Sequence, residues 1–263
     1  MDISLTNIIP ESIDKLIVNI LGSTSKTIGD DLNKLYKLGR DNILEKAAQK
    51  IKNLKDGKIA NLRVARDVFL NGSFSNEDIS AEYFGGVLAS SRSKDGKDDS
   101  GVFYLDIIKS LSSGQLRLHY IIYTVLHELL LTEPPSRELS MVNNAELSMY
   151  RIYIPWECLD PDNNIDLGSM LFPLHSKGLI DNFHSRLVYT KDPSIIPILE
   201  IHPTTLGVQL FCVAHNQFVE WKDFPKLTFD KWEGVKTPEY FSSNKDILLD
   251  KMGISNNQIE KTK

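Results

Sequence analysis

The stretch MLFPLHSKGLIDNFHSRLVYTKDPSIIPILEIHPTTLG, residues 170–207, carries the pattern that decides the fold. Met170 to Leu174 reads as a short apolar helix, and Gly178-Leu179-Ile180 as the turn that ends it. Phe183–Tyr189 and Ile195–Ile201 are rich in β-branched and aromatic residues and read as two strands. Thr204 or Thr205 then opens another helix, because a threonine hydroxyl can accept from the free backbone N–H groups of a first turn. Residues 151–220 are therefore expected to form an α+β region.

Upstream the periodicity is helical. From Asp30 to Leu54 the apolar residues Leu32, Leu35, Tyr36, Ile43, Ala47, Ile51 and Leu54 recur at three and four, with Gly39 on the same stripe and lysines opposite. A second helix is expected from near Ile59 to about Leu70, and a third from Ser75, three residues before Asp78, to about Ser91. The polar run RSKDGKDDSG, Arg92 to Gly101, has nothing to bury and reads as a mobile loop. Ser112 and Gln115 form a capping-box pattern ahead of a helix that Pro134-Pro135 closes. After a linker or short helix to Tyr150, the stretch DPDNNID at 160–166 reads as a turn. Residues 1–150 thus read as a helical bundle.

Taken together, a helix ending in Gly-Leu-Ile, a two-stranded wing and a T-x-x-G helix start resemble a winged-helix arrangement. The expected fold is mainly α, an N-terminal helical bundle followed by a winged-helix-like α+β region. Residues 221–263 hold Trp221, Phe224, Phe229, Trp232, Tyr240 and Phe241 without period, an aromatic strap packed on the body, before the polar tail ISNNQIEKTK.

At 263 residues, 41% hydrophobic and 25% charged, the chain can bury a core without disulfides or metal. Cys158 and Cys212 are far apart and outside any CxxC spacing, which fits a reducing cytoplasm. Asp2, Glu11 and Asp14 interrupt the N-terminus where a secretion signal needs a positive flank and a clean apolar run. The densest apolar stretch, Tyr120 to Leu131, contains His127 and Glu128 and is too short to span a bilayer, so a cytoplasmic protein is expected.

The net charge of -5 hides an asymmetry. Residues 34–66 carry ten Lys/Arg against Asp41, Glu45 and Asp56, a local +7 that leaves -12 for the rest. Lys46, Lys50, Lys52, Lys55, Lys58, Arg63 and Arg66 are the candidate surface for an anionic partner, nucleic acid or membrane, the alternative being a solvated helix face. Residues 165–220 instead offer only Lys177, Arg186 and Lys191 against Asp166, Asp181, Asp192, Glu200 and Glu220, a net of -2 that favours contact with protein over DNA. Ile13, Leu16, Ile17, Ile20 and Leu21 could embed in a bilayer beside the basic helix, a peripheral membrane contact.

The motifs of catalysis are incomplete. His127-Glu128 begins like HExxH, but Leu131 stands where the second zinc ligand must be, and His119 lies two turns before His127. Asp160, Asp162, Asn164 and Asp166 match the start of a calcium loop, but Ile165 and Leu171 occupy the glycine and glutamate positions. No GxxxxGK[ST], GxGxxG or GxSxG is present, and Gly85-Gly86 sits in a helical pattern where it would let a neighbouring helix approach. No catalytic residue, metal ligand or cofactor is implied.

The segments NILEKAAQKIKNL (42–54), NGSFSNEDISAEYFGGVLASSRS (71–93), IIKSLSSGQLRLHYIIY (107–123) and HPTTLGVQLFCVAHN (202–216), the last with T-x-L-G-x-x-L, together resemble the Abi-alpha family of bacterial abortive-infection proteins. The resemblance spans roughly residues 11–216. It implies phage defence by halting infected cells and brings no agreed reaction or catalytic residue. The resemblance, with the empty catalytic inventory, leads to the expectation of an antiviral protein that binds a phage or host protein, or nucleic acid, as a monomer or homo-oligomer. The rivals are a winged-helix nucleic-acid-binding regulator and a membrane-perturbing effector.

Overall fold

A computed structural model describes residues 25–74, 77–137, 139–159, 166–189 and 195–254, with side chains defined from Lys34 onward. Helix α1 (Ser25–Gln49) is followed by a short strand β1 (Ile59–Ala60), α2 (Leu62–Gly72), α3 (Asp78–Ser90), β2 (Arg92–Ser93), α4 (Gly101–Ile108) and α5 (Ser113–Thr132). Then come α6 (Asn144–Met149), β3 (Ile152–Pro155), a 3-10 turn (Trp156–Cys158), α7 (Leu167–Ser176), β4 (Ile180–Tyr189), β5 (Ile195–Pro203) and α8 (Thr205–Ala214). A 3-10 stretch (Phe218–Lys226) and α9 (Lys245–Lys251) follow. The protein is mainly helical with a small antiparallel sheet.

Helix α3 is the axis of the body. Every residue from Ile79 to Ala89 is buried, as expected of a helix that is apolar or small on all sides. It packs against α1, α2, α4, α5 and α8. Gly85 and Gly86 set two of those contacts: a methyl on Gly85 would stand 2.9 Å from the Ala47 backbone nitrogen of α1, and one on Gly86 would stand 2.1 Å from the Ala214 carbonyl oxygen of α8. The glycine pair therefore brings two backbones, those of α1 and α8, close against one helix. Ser90 Oγ, donating to the Val213 carbonyl at 3.0 Å, ties α3 to α8 a second time.

Several expected boundaries move for local reasons. The first helix ends at Gln49, not Leu54: Lys50 and Ile51 close it with i→i−3 bonds, and the Asn53 side chain then takes the Lys55 N–H. Ile59 and Ala60 do not open the second helix. They pair with Arg92 and Ser93 as β1–β2, and Asn61 caps α2 by accepting from Arg63 and Val64. The polar run 92–101 holds strand β2 and Asx turns, Asp95 accepting from Ser93 Oγ and Lys97 N and Asp98 from Ser100 N, before an additional helix, α4, begins. Ser75, Asp160, Asp162, Asn164, the membrane-facing set Ile13 to Leu21, and the tail after Ile254 lie outside the described residues. The Ser112–Gln115 capping box is present on α5.

The sheet order is β3-β5-β4, all antiparallel. Alternation sends Ile152, Ile154, Leu199 and Ile201 inward, where they join one apolar cluster running from Ile43 of α1 to Trp232. The outer face carries Tyr153, Val188 and Ile198, covered by Leu248 and Leu249 of α9. Glu133, the C-cap of α5, clasps this end: it accepts from Ser242 and Ser243 hydroxyls and the Ser243 N–H, each at 2.8 Å, and from Lys251 Nζ at 2.5 Å.

Tyr123 joins body to sheet. Its hydroxyl donates to the Leu179 carbonyl at 2.5 Å and accepts from Thr204 N at 3.0 Å. Thr204 caps α8 through Gly207 N and donates to the Gly178 carbonyl, while Gly207 leaves the space that Tyr123 fills. This is the physical content of T-x-L-G: one residue caps, the other makes room. Nearby, Pro173 of α7 has no N–H for the Ser169 carbonyl, and Gln115 Nε2 supplies the donor at 3.1 Å.

Gly86→Ala should therefore destabilise the protein by about 3 kcal/mol in urea unfolding, because the obstruction is backbone that cannot retreat. Gly114→Ala, whose new methyl meets only the flexible end of Met170, should change stability by less than about 1 kcal/mol.

Candidate functional site

The seven basic residues singled out from sequence do not share one environment. Lys46 and Lys50 turn inward to Glu82 of α3, Lys46 Nζ at 2.8 Å from Oε1 and Lys50 Nζ on Oε2, with Glu82 only 6% exposed. Lys52, Lys55 and Lys58 are exposed in the turn after α1. Arg63 and Arg66 are exposed on α2 and paired with Asp99 and Asp67. The i, i+4 spacing of Lys46 and Lys50 that suggests an outward stripe instead lets both reach one carboxylate.

A charge inside a buried helix must be matched where it stands. Burial pulls the Lys50 ammonium below its usual range and outweighs Glu82, whereas at the shallower Lys46 burial also pulls down but the hydrogen bond and charge of Glu82 prevail and the value rises. The Lys50 ammonium lies 5.0 Å above the Trp232 ring, a cation–π contact, and Asn216 Nδ2 donates to the Lys50 carbonyl at 2.9 Å. Trp232 stacks on Tyr120 at 4.3 Å and on His215 at 4.6 Å. Beside them Tyr83 and His119 share a 2.5 Å hydrogen bond. Burial lowers both His119 and His215 to about 3, so each is neutral in the folded protein. The strap residues Phe224 and Trp232 are thus core anchors for a polar and aromatic interior.

His127 of the incomplete HExxH is likewise a core group: its Nε2 lies 2.9 Å from the Leu227 carbonyl, and its ring sits edge-on to Phe224 and Phe229. Among the described residues no three His, Cys, Asp or Glu side chains gather as a metal site, and no helix is long and apolar enough to cross a membrane.

The sheet region presents two outward surfaces. On the α7 side, Phe172 is 63%, Leu187 52%, Tyr189 40% and Ile195 55% exposed, with Phe172 edge-on to Phe183 at 5.1 Å. The register explains their alignment: Phe183, Leu187 and Tyr189 of β4 share a face with Pro197 and Ile195 of β5, the same face whose inner end enters the core. On this face Leu199 and Ile201 reach the core, while Leu187, Tyr189 and Ile195 stay exposed.

On the opposite face, Glu200 is 1% exposed and is held by Arg186 Nε, by Arg151 Nε at 3.6 Å and by His202 Nε2 at 3.1 Å. His202 Nδ1 lies 2.9 Å from the Ser148 carbonyl, and His184 stands edge-on to His202. Sequence reasoning passes over both Glu82 and Glu200, each a lone acid within an apolar pattern; that very isolation is the available signal, since a carboxylate amid buried positions implies basic partners from elsewhere.

Comparison of the chain with protein-family models, curated proteins and solved structures gave no match.

Glu82→Leu strands Lys46 and Lys50, the latter beneath Trp232, and should lower stability by about 3–5 kcal/mol, whereas the triple variant Lys46→Met, Lys50→Met, Glu82→Leu should recover most of the loss. Chemical unfolding of the two variants checks this. Because His119 and His215 have folded values near 3 against 6.5 unfolded, the unfolded chain binds their protons first. Stability should be full above pH 6.5 and fall as pH drops from 6.5 towards 3, with each histidine adding a slope approaching about 1.4 kcal/mol per pH unit. Unfolding free energies of the wild type and of His215→Phe across that range should differ by one such slope.

Proposed function

We propose that this chain is a non-catalytic antiviral protein of the abortive-infection type, which acts by docking a protein partner of the phage or the host through a winged-helix module. The observation that carries the reading is the arrangement of residues 144–203: a helix, a strand, a 3-10 turn, a helix and a two-stranded hairpin, with the last strand central in the order β3-β5-β4. In that arrangement α7 takes the place of the recognition helix and β4–β5 that of the wing.

The partner class follows from what these elements present. The α7 and hairpin side offers Phe172, Leu187, Tyr189 and Ile195, large apolar groups whose burial drives protein association, and α7 itself (Leu167–Ser176) contains no lysine or arginine. A DNA-reading helix needs basic and amide side chains at that position. The resemblance to Abi-alpha proteins supplies the biological setting, a cytoplasmic response to phage, and the neutral, hydrogen-bonded histidines of the interior fit a scaffold role.

Expression in bacteria challenged with a broad phage panel tests this reading. Wild type should lower plating efficiency and the survival of infected cells, and the variant Phe172→Asp with Leu187→Asp should lose that effect while its circular dichroism and unfolding midpoint stay those of the wild type. Protection by the folded variant equal to wild type would refute the docking surface, and a folded wild type that protects against no phage would refute the antiviral reading.

A further inference from the structure

We infer that the outer face of the sheet, where Arg151 and Arg186 converge on buried Glu200 beside His202, binds the phosphate backbone of a nucleic acid. This surface lies on the other side of the strands from the apolar docking face and is independent of it.

Glu200 is too deeply buried to be left unpaired, and its partners reach it from outside: the Arg186 and Arg151 side chains are 46% and 52% exposed. Two guanidiniums share one carboxylate, so a full positive charge is left over before any histidine is counted. Each arginine engages Glu200 through Nε, one on each carboxylate oxygen, which leaves the Nη edge of each fork unused by that acid. His202 is fixed between Glu200 and the Ser148 carbonyl. The heads are held in place by the fold, which reduces the ordering cost of gripping a ligand.

Charge complementarity selects the ligand. Arginine forks match carboxylate and phosphate oxygens alike; Glu200 takes up one of the two positive charges, and a phosphodiester, which carries one negative charge per unit, matches the charge left over. Exposed His184, next to His202 and opposite Glu200 in the register, extends the polar surface along β4, as a chain of phosphates requires. The body outside residues 34–66 is acidic overall, so this cluster is a local reversal of sign.

The test is fluorescence anisotropy of the full chain with a labelled mixed-sequence single-stranded oligodeoxynucleotide and with its duplex, each over a series of salt concentrations, and with labelled polyglutamate as the acidic-polypeptide arm. Wild type should bind at least one DNA in a salt-dependent manner and prefer it to polyglutamate. The variant Arg151→Gln, Arg186→Gln, Glu200→Gln removes both cations and the buried acid together, so no charge is stranded, and its folding is checked by unfolding midpoint. It should bind at least about tenfold more weakly, with the slope of log affinity against log salt smaller by about 2. Should it fail to fold, Arg186→Gln alone, which leaves Arg151 and His202 on Glu200, should lower the slope by about 1. An unchanged slope in a folded variant overturns the inference, as do a wild type that binds neither DNA, equal or tighter binding of polyglutamate, or a slope lost instead in Lys52→Glu, Lys55→Glu, Lys58→Glu. These outcomes leave the apolar docking face untouched, since it is tested by its own variant.

Discussion

A negative charge on the most deeply buried helix organises this molecule. Glu82 sits in the middle of α3, whose residues from Ile79 to Ala89 are all shielded from water, and such a carboxylate is tolerable only where cations reach it. Lys46 and Lys50 supply them, and that fixes both the rotation of α1 about its axis and its register along α3. Gly85 then permits the close backbone approach that the lysines require. Trp232 covers the Lys50 ammonium, so a segment far along the chain is recruited to seal a charge near its beginning.

The sheet region repeats the device at the surface. Glu200 is as buried as Glu82, but its cations come from the rim and keep half their surface in water. At Glu82 the charges close the interior; at Glu200 they hold arginines ready on an outer face. The two faces of the hairpin thus differ in chemistry, one apolar beside α7 and the other carrying the arginine cluster next to the apolar patch that α9 covers, because strand alternation sends neighbouring residues to opposite sides.

Much of the architecture was legible from local chemistry. The Ser112–Gln115 box, the Thr204 cap, the paired glycines and the two hairpin strands are signals carried by adjacent residues, and each element appears where its signal lies. The short β1–β2 pair escaped because two residues have no period, and Ile59 at the end of a turn resembles a helix start. The fate of Lys46 and Lys50 was illegible for a different reason. A lysine stripe opposite an apolar stripe looks solvated unless the acid that claims it is known, and Glu82 lies 32 positions beyond Lys50. Arg151, Arg186 and Glu200 likewise come together only through strand register.

The capture of the Lys50 carbonyl by Asn216, 166 positions later, bears on synthesis as well as on the finished fold. While the chain emerges, α1 and α3 can meet, but their charged seam has no cover until Asn216 and Trp232 have been made. The helical body therefore leaves the ribosome with its central ion pairs wet and its aromatic pocket open, and long-range contacts of this kind form late. A chain truncated before residue 216 should behave as a sticky, loosely packed intermediate and a client for chaperones, even though it contains nearly every helix of the body.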